Sequence, residues 1–290
     1  IYLGFALALF ALWQYFADLN NLPLTFLRPQ YTKIVFGFPR PQATFLEPLY
    51  FANFLFLPFF FTIERIIDNK KIQPFLLVSL FLLAVVLTLT LSRGAYIAFV
   101  FAAIVLAVII AVKFKQFLKR FGLATVIILL GALAAVFLIR ASVSHENFQL
   151  FVTHAGVADV STGESTLDRF AFARIAWQNF LHTPWGIGAG AFGALPEFYE
   201  KLSTGNYQTV GNLYLEILVE EGIIGFLLFF GFFFLLIRRL WREARSGKLE
   251  GLIYLSILLA ILVQAISFSA LYIIPIWAFL ALAWPRTVSE

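Results

Sequence analysis

Cysteine and methionine are both missing from the 290 residues, and charged side chains are scarce, at 13%. Without cysteine there is neither a disulfide framework nor a thiolate metal site. Histidine is nearly missing as well. His145, His154 and His182 all fall in one stretch and do not make a His-rich metal site. The lack of methionine extends to the first position, and the chain opens inside an apolar run. It therefore reads as the later part of a longer protein, for which no signal peptide can be judged. Soluble domains carry about a quarter charged residues. This chain is instead 61% hydrophobic, with mean hydropathy +0.90 and 36 phenylalanines. That is more apolar surface than one soluble core can bury, so the fold class is an all-α integral membrane protein, a polytopic helical bundle.

A helix needs about 20 mostly apolar residues to cross a bilayer. Eight stretches qualify, at roughly 1–17, 48–63, 75–91, 95–112, 122–139, 221–237, 251–268 and 271–285. They predict about five transmembrane helices in 1–139 with an outer loop at 18–47, a long loop over 140–210, and about three helices in 211–290. Ser92-Arg93-Gly94 reads as a tight turn at the membrane surface. Arg65, Lys70 and Lys71, then Lys113, Lys115, Lys119 and Arg120, then Arg238, Arg239, Arg242, Arg245 and Lys248 form three short basic clusters. With alternating spans all three fall on one side, which the positive-inside rule makes cytoplasmic. On the other side acids outnumber bases. The net charge of +5 is thus a topology signal; short juxtamembrane clusters are not a nucleic-acid footprint. The bilayer is the partner this composition demands.

The long outer loop carries structure. Asp168 to Leu181 has a helical pattern, with Phe170, Ala173, Ile175, Trp177 and Phe180 apolar and Arg169, Arg174 and Gln178 polar. Pro184 and the glycines at 186, 188 and 190 break it. A second helix is predicted from about residue 212 into the span near 221. Loops this long are usually functional or disordered, and helix signals alternating with a glycine turn favour function.

Arg93 is the sharpest candidate, because an ionisable residue at membrane depth usually faces a polar cavity or partner. Its guanidinium suits bidentate binding of an anionic headgroup such as a lipid phosphate or diphosphate; the competing reading is an arginine snorkelling to the interface. Arg169 and Arg174 are five residues apart, about 140° on a helix. Either can meet an anionic substrate, or both can form local ion pairs with Asp168 and Glu164. Arg40 is held extended between Pro39 and Pro41 just before the second span. Pro184 to Gly190 can form an anion nest or simply a tight turn. It lacks the Lys-Ser/Thr ending of a nucleotide loop and has no strand before it. Asn212, Glu216 and Glu220, at i, i+4 and i+8, make one polar stripe continued by Glu221. Glu216 or Glu220 can serve as a general base or hold an arginine, or the segment is an interfacial helix with a wet side.

Several of these pieces occur together in order. They are Arg40 with Thr44-Phe45 and Pro48, then Leu91-Ser92-Arg93-Gly94-Ala95, then Asp168-Arg169, then Pro184-x-Gly186-Ile187-Gly188-x-Gly190-x-Phe192. The last is Asn212-Leu213-Tyr214-Leu215-Glu216-x-Leu218-x-Glu220-x-Gly222-Ile223-Ile224-Gly225. The set resembles the superfamily of O-antigen ligases and Wzy-type O-antigen polymerases of bacterial envelopes, over roughly residues 35–240. The resemblance implies a GT-C-like helical fold in the bacterial inner membrane, with the active side periplasmic. It implies a metal-independent, inverting glycosyltransferase without cofactor, acting in cell-envelope and lipopolysaccharide assembly. The donor is a glycan on undecaprenyl diphosphate. The acceptor is a lipid A core, another glycan or a protein hydroxyl. The matched diphosphate contacts are Arg93 and Arg169, with Arg40 alongside, and Asn212 and Tyr214 belong to the last motif. One position departs: the ligase pattern has histidine directly before the Asn-x-Tyr-Leu-Glu run, where this chain has Gly211. Glu216, Glu220 or His182 can take over, the protein can be a polymerase-like branch, or the chemistry is lost. The alternative function is a transporter of an anion or lipid-linked sugar, although no internal repeat of the kind common in transporters is found.

Overall fold

In a bilayer a backbone finds no water to bond, so long apolar runs close their hydrogen bonds within helices. The computed structural model describes residues 1–22, 34–155, 164–203, 208–269 and 273–284. In chain order they form α1 (Tyr2–Leu19), the strands β1 (Ile34–Val35) and β2 (Phe38–Pro39), α2 (Pro48–Asp68), α3 (Pro74–Leu89), α4 (Arg93–Lys113), α5 (Leu118–Ser142), α6 (His145–Ala155), α7 (Glu164–His182), α8 (Tyr199–Ser203), α9 (Leu213–Glu220), α10 (Gly222–Arg245), α11 (Leu249–Gln264) and α12 (Ile274–Ala283). The protein is an all-α polytopic membrane protein. Among the described residues, six helical segments are long and apolar enough to cross a membrane: α1, α2, α4, Lys115–Ser142, α10 and Leu249–Ser267. The other two expected spans are shorter. α3 has 16 residues and α12 has 10, about 24 and 15 Å long at 1.5 Å per residue. α3 starts at Pro74 and is closed by Leu91, whose φ of 50° lies in the left-handed region.

The chain divides into two compact units, Ile1–Val157 with Trp241–Ile261, and Ala158–Leu240 with Leu262–Glu290. In the first, α3 packs against α1, α2 and α5. Small residues let the backbones approach: Gly131 of α5 faces the Phe81 carbonyl and Ala84 of α3, and Gly4 of α1 faces the ring of Pro58 in α2. Pro58 interrupts the α2 ladder, but its carbonyl accepts Thr62 Oγ1 at 2.6 Å. Tyr15, Phe38, Val85, Leu89, Ile139 and Phe151 are among the buried cluster at one end. The segment before α2 is pinned there by Gln14, whose Nε2 donates to Ala43 O at 2.6 Å while its Oε1 accepts the Gln42 amide at 3.3 Å. A two-residue hairpin at Phe36-Gly37, both at positive φ, joins β1 and β2.

At the other end of this unit, Arg120 donates to the carbonyls of Ile67 (2.9 Å), Asn69 and Lys70 (3.0 Å), capping the last turn of α2. Lys248 lines the same cavity as Arg65 and Asp68, about 930 Å³ in volume. Arg65, Lys70, Arg120 and Lys248 thus lie at one end of this unit. Arg93 begins α4 and Lys113 ends it, which puts Arg93 about 30 Å from that end of the helix.

In the second unit α7 packs on α9. Ala176, Phe192, Phe198, Val210 and Val219 are buried between them, with Phe172 against both phenylalanines.

Candidate functional site

Arg93 is not in the turn between α3 and α4 but in the first helical turn of α4; the turn itself is Thr90-Leu91-Ser92. The left-handed Leu91 ends α3 early and lets α4 start two residues sooner than composition suggests. Arg93 is half-buried, at a helix end where the backbone amides favour anions. Arg40 is brought to the same turn, with its Nε donating to Thr90 O at 2.7 Å. Burial lowers the Arg40 guanidinium pKa, while Tyr96 and Glu47 act in the opposite sense; an arginine starts so high that it stays charged. Tyr96 donates to Thr88 O and ties α4 back to α3 beneath this turn. The first unit thus holds Arg40 and Arg93 at one turn.

The second unit gathers the glycine turn and α9. Pro184 to Phe192 is stitched to the junction of α9 and α10 by backbone bonds: Ile187 N to Val219 O, Gly188 N to Glu220 O (both 2.9 Å), and Ile223 N to Pro184 O (3.0 Å). Gly186 (φ 98°) lies on the Glu220 carbonyl, and Gly222 (φ 70°) lies on the backbone of Trp185. A Cβ on either would collide with main chain. For this reason the helix expected to run unbroken from 212 into the span is instead broken at Glu221-Gly222. The glycine turn does present amides to an anion, and the anion is internal. Glu220 accepts the Gly190 amide at 2.9 Å and the Phe192 amide at 3.1 Å, one on each carboxylate oxygen.

The rest of the polar stripe is similarly engaged. Asn212 caps α9, its Oδ1 accepting the amides of Tyr214 (3.0 Å) and Leu215 (3.1 Å). Glu216 is 3% exposed and accepts the Val210 amide at 3.3 Å and the Ser269 hydroxyl. Tyr214 stacks on Phe230 and donates to Leu262 O at 2.6 Å; burial raises its pKa. Gly211, between Val210 and the capping Asn212, has φ 67°, and a Cβ there would touch only Arg169 Cγ, at 3.6 Å. A side chain at 211 would therefore lie along Arg169. Arg174 points elsewhere: it is exposed on the outward side of α7, about 140° round from Arg169. His182 is exposed at the end of α7. The side chains of His154 and Glu164 lie outside the described residues.

Residues 78–230 match the family model described as O-antigen ligase. The chain belongs to the O-antigen ligase family. The match begins inside α3 and ends inside α10, so it takes in Arg93, Arg169, the glycine turn and the α9 motif, while Arg40 precedes it. No curated protein and no solved structure matches the chain. Membership makes this O-antigen ligase relative a multi-pass membrane protein with a ligase- or polymerase-type, glycosyltransferase-like role in envelope glycan assembly. Sequence reasoning missed Thr90, Tyr96, Val210 and Ser269, which hold the candidate residues in place. Backbone acceptors and donors leave no composition signal, and a lone serine 53 residues from Glu216 has no periodicity that would join the two.

Proposed function

We propose that this O-antigen ligase family protein transfers a glycan from undecaprenyl diphosphate to an acceptor hydroxyl on a lipid A core, another glycan or a protein. The reaction takes place at the periplasmic face of the bacterial inner membrane, without a metal and with inversion at the sugar. The observation that carries the reading is the family match over a segment in which Arg93 opens α4, at the end of that helix opposite Lys113. A guanidinium beside helix amides suits a diphosphate and stabilises the charge that grows on it as its bond to the sugar breaks. Arg40, anchored on Thr90, and Arg169, beside Gly211, are proposed as further diphosphate contacts. Glu216 and Glu220 are assigned as positioning residues, because their oxygens already hold the amides flanking Gly211 and the glycine turn. Asn212 and Tyr214 are assigned the same supporting role.

The test is incubation of the purified full-length protein, with chelator, with a fluorescent glycan on undecaprenyl diphosphate and each acceptor class. Release of undecaprenyl diphosphate with growth of an acceptor, lost in a folded Arg93→Ala variant, is the expected result. Donor movement across proteoliposomes without any transfer would replace this reading with the transporter.

A further inference from the structure

α7 buries one side and leaves the opposite side apolar. Its inner side, with Phe172, Ile175 and Ala176, packs on Phe192, Phe198 and α9. On the outer side, Leu167, Phe170, Trp177 and Leu181 fall within an arc of about 80° at 100° per residue. They are 55%, 65%, 47% and 59% exposed. Arg174 lies in the same arc, Gln178 and His182 line its flank, and Asp168 lies about 100° round from Leu167, away from the stripe; all four are exposed. The stripe runs for about 20 Å. A helix that met only water would not present a continuous row of Leu, Phe, Trp and Leu.

The stripe also continues to a fixed place. Trp185, three residues past the end of α7, is 75% exposed, yet its backbone is pinned. It lies on Gly222, and the preceding Pro184 carbonyl accepts the Ile223 amide. Gly222 and Ile223 are the first residues of α10, one of the helices able to span a membrane. Trp185 therefore stands where a span enters the bilayer, the level at which tryptophan rings concentrate. An arginine among apolar side chains at that level extends its head to lipid phosphate while its stem stays in the apolar layer.

We propose that α7 is a membrane-surface helix. Its Leu167–Phe170–Trp177–Leu181 stripe and Trp185 sit at the boundary between headgroups and acyl chains, and Arg174 meets a lipid phosphate. The occupant of this face is the phospholipid bilayer that α10 enters. The Asp168 side faces water. Seated this way, α7 holds Arg169 and the glycine turn at headgroup depth, the level of a lipid-linked diphosphate. That consequence rests on the proposed transfer; the seating of the helix does not.

These 290 residues contain no cysteine, so single cysteines report cleanly once any cysteine elsewhere in the full-length protein has been replaced by serine. The full-length protein carrying Phe170→Cys, Leu181→Cys or Asp168→Cys is labelled with an environment-sensitive fluorophore. It is then reconstituted in phosphatidylethanolamine–phosphatidylglycerol vesicles. Nitroxide placed high on the acyl chain should quench positions 170 and 181 several-fold more than position 168, with aqueous iodide giving the reverse order. Equal quenching of all three by iodide would overturn the proposal, since the stripe would then face water. Protection of 170 and 181 from both quenchers would also overturn it, in favour of a protein partner or a second copy on this face. The readout does not involve glycan transfer, so its failure is distinct from a failure of the proposed activity.

Discussion

Glu220 reaches the Gly190 amide across 30 residues of chain, with Oε2 accepting at 2.9 Å while Oε1 takes Phe192. The two family motifs, the glycine turn and the α9 stripe, are thus one object in the folded protein. The turn owes its shape to a carboxylate that fills the place an external anion would otherwise occupy.

Glu220→Ala should loosen this turn. Hydrogen bonds to a charged acceptor contribute about 1.5–3 kcal/mol each when sheltered. One of these two is exposed, so a loss of about 1–3 kcal/mol is expected in all. Thermal unfolding in detergent would register it, and hydrogen exchange should accelerate at Gly190 and Phe192. Unchanged exchange at those amides would rule the latch out.

Gly186→Ala and Gly222→Ala should be far more damaging than their size suggests. Each adds a Cβ against main chain and forces a positive φ on alanine, a strain of about 1–3 kcal/mol before the collision is counted. Gly231→Ala, also on α10 but with open space around it, should be neutral or slightly stabilising, since alanine is favoured over glycine in a helix by about 0.5–1 kcal/mol. Comparing the melting temperatures of the three variants separates the close-packed glycines from the incidental one.

Gly211→His should fold. The left-handed backbone costs about 1–2 kcal/mol for a side chain, but there is room beside Arg169. The neighbouring guanidinium disfavours a second cation, so the imidazole should titrate below the ordinary histidine value. NMR of ring-labelled histidine measures this directly. An unshifted titration in a folded variant would mean that position 211 does not face Arg169.

Tyr214 links stability to alkaline pH. Burial raises its folded-state pKa above the unfolded value near 10. Its contribution is therefore complete below about pH 10 and is lost as pH rises through the folded value. Tyr214→Phe gives up the bond to Leu262, about 0.5–1.5 kcal/mol, and should flatten the alkaline limb of a stability–pH curve. If wild type and variant decline in parallel above pH 10, another group is responsible.

The fold class was legible because it depends on composition. Charge at 13% and 36 phenylalanines leave no soluble solution, and apolar run lengths locate the long spans. At α3 a proline start and the left-handed Leu91 shorten a helix that hydropathy alone would extend. The polar stripe of Asn212, Glu216 and Glu220 was also legible, since i, i+4 spacing places residues on one face in any helix. Its roles were not, because the partners are the amides of Val210, Gly190 and Phe192, and every residue has an amide.

By itself, then, the sequence determined that this chain lives in a bilayer, where its basic clusters lie, and which ordered motifs tie it to the O-antigen ligase family. These follow from local composition and spacing, which act on each segment independently of the rest. Only the tertiary structure decided that α9 and α10 break at Gly222, that Glu220 occupies the glycine turn, and that Arg169 rather than Arg174 lies beside Gly211. These depend on close approach between segments tens of residues apart, where a single Cβ or one backbone amide selects the outcome.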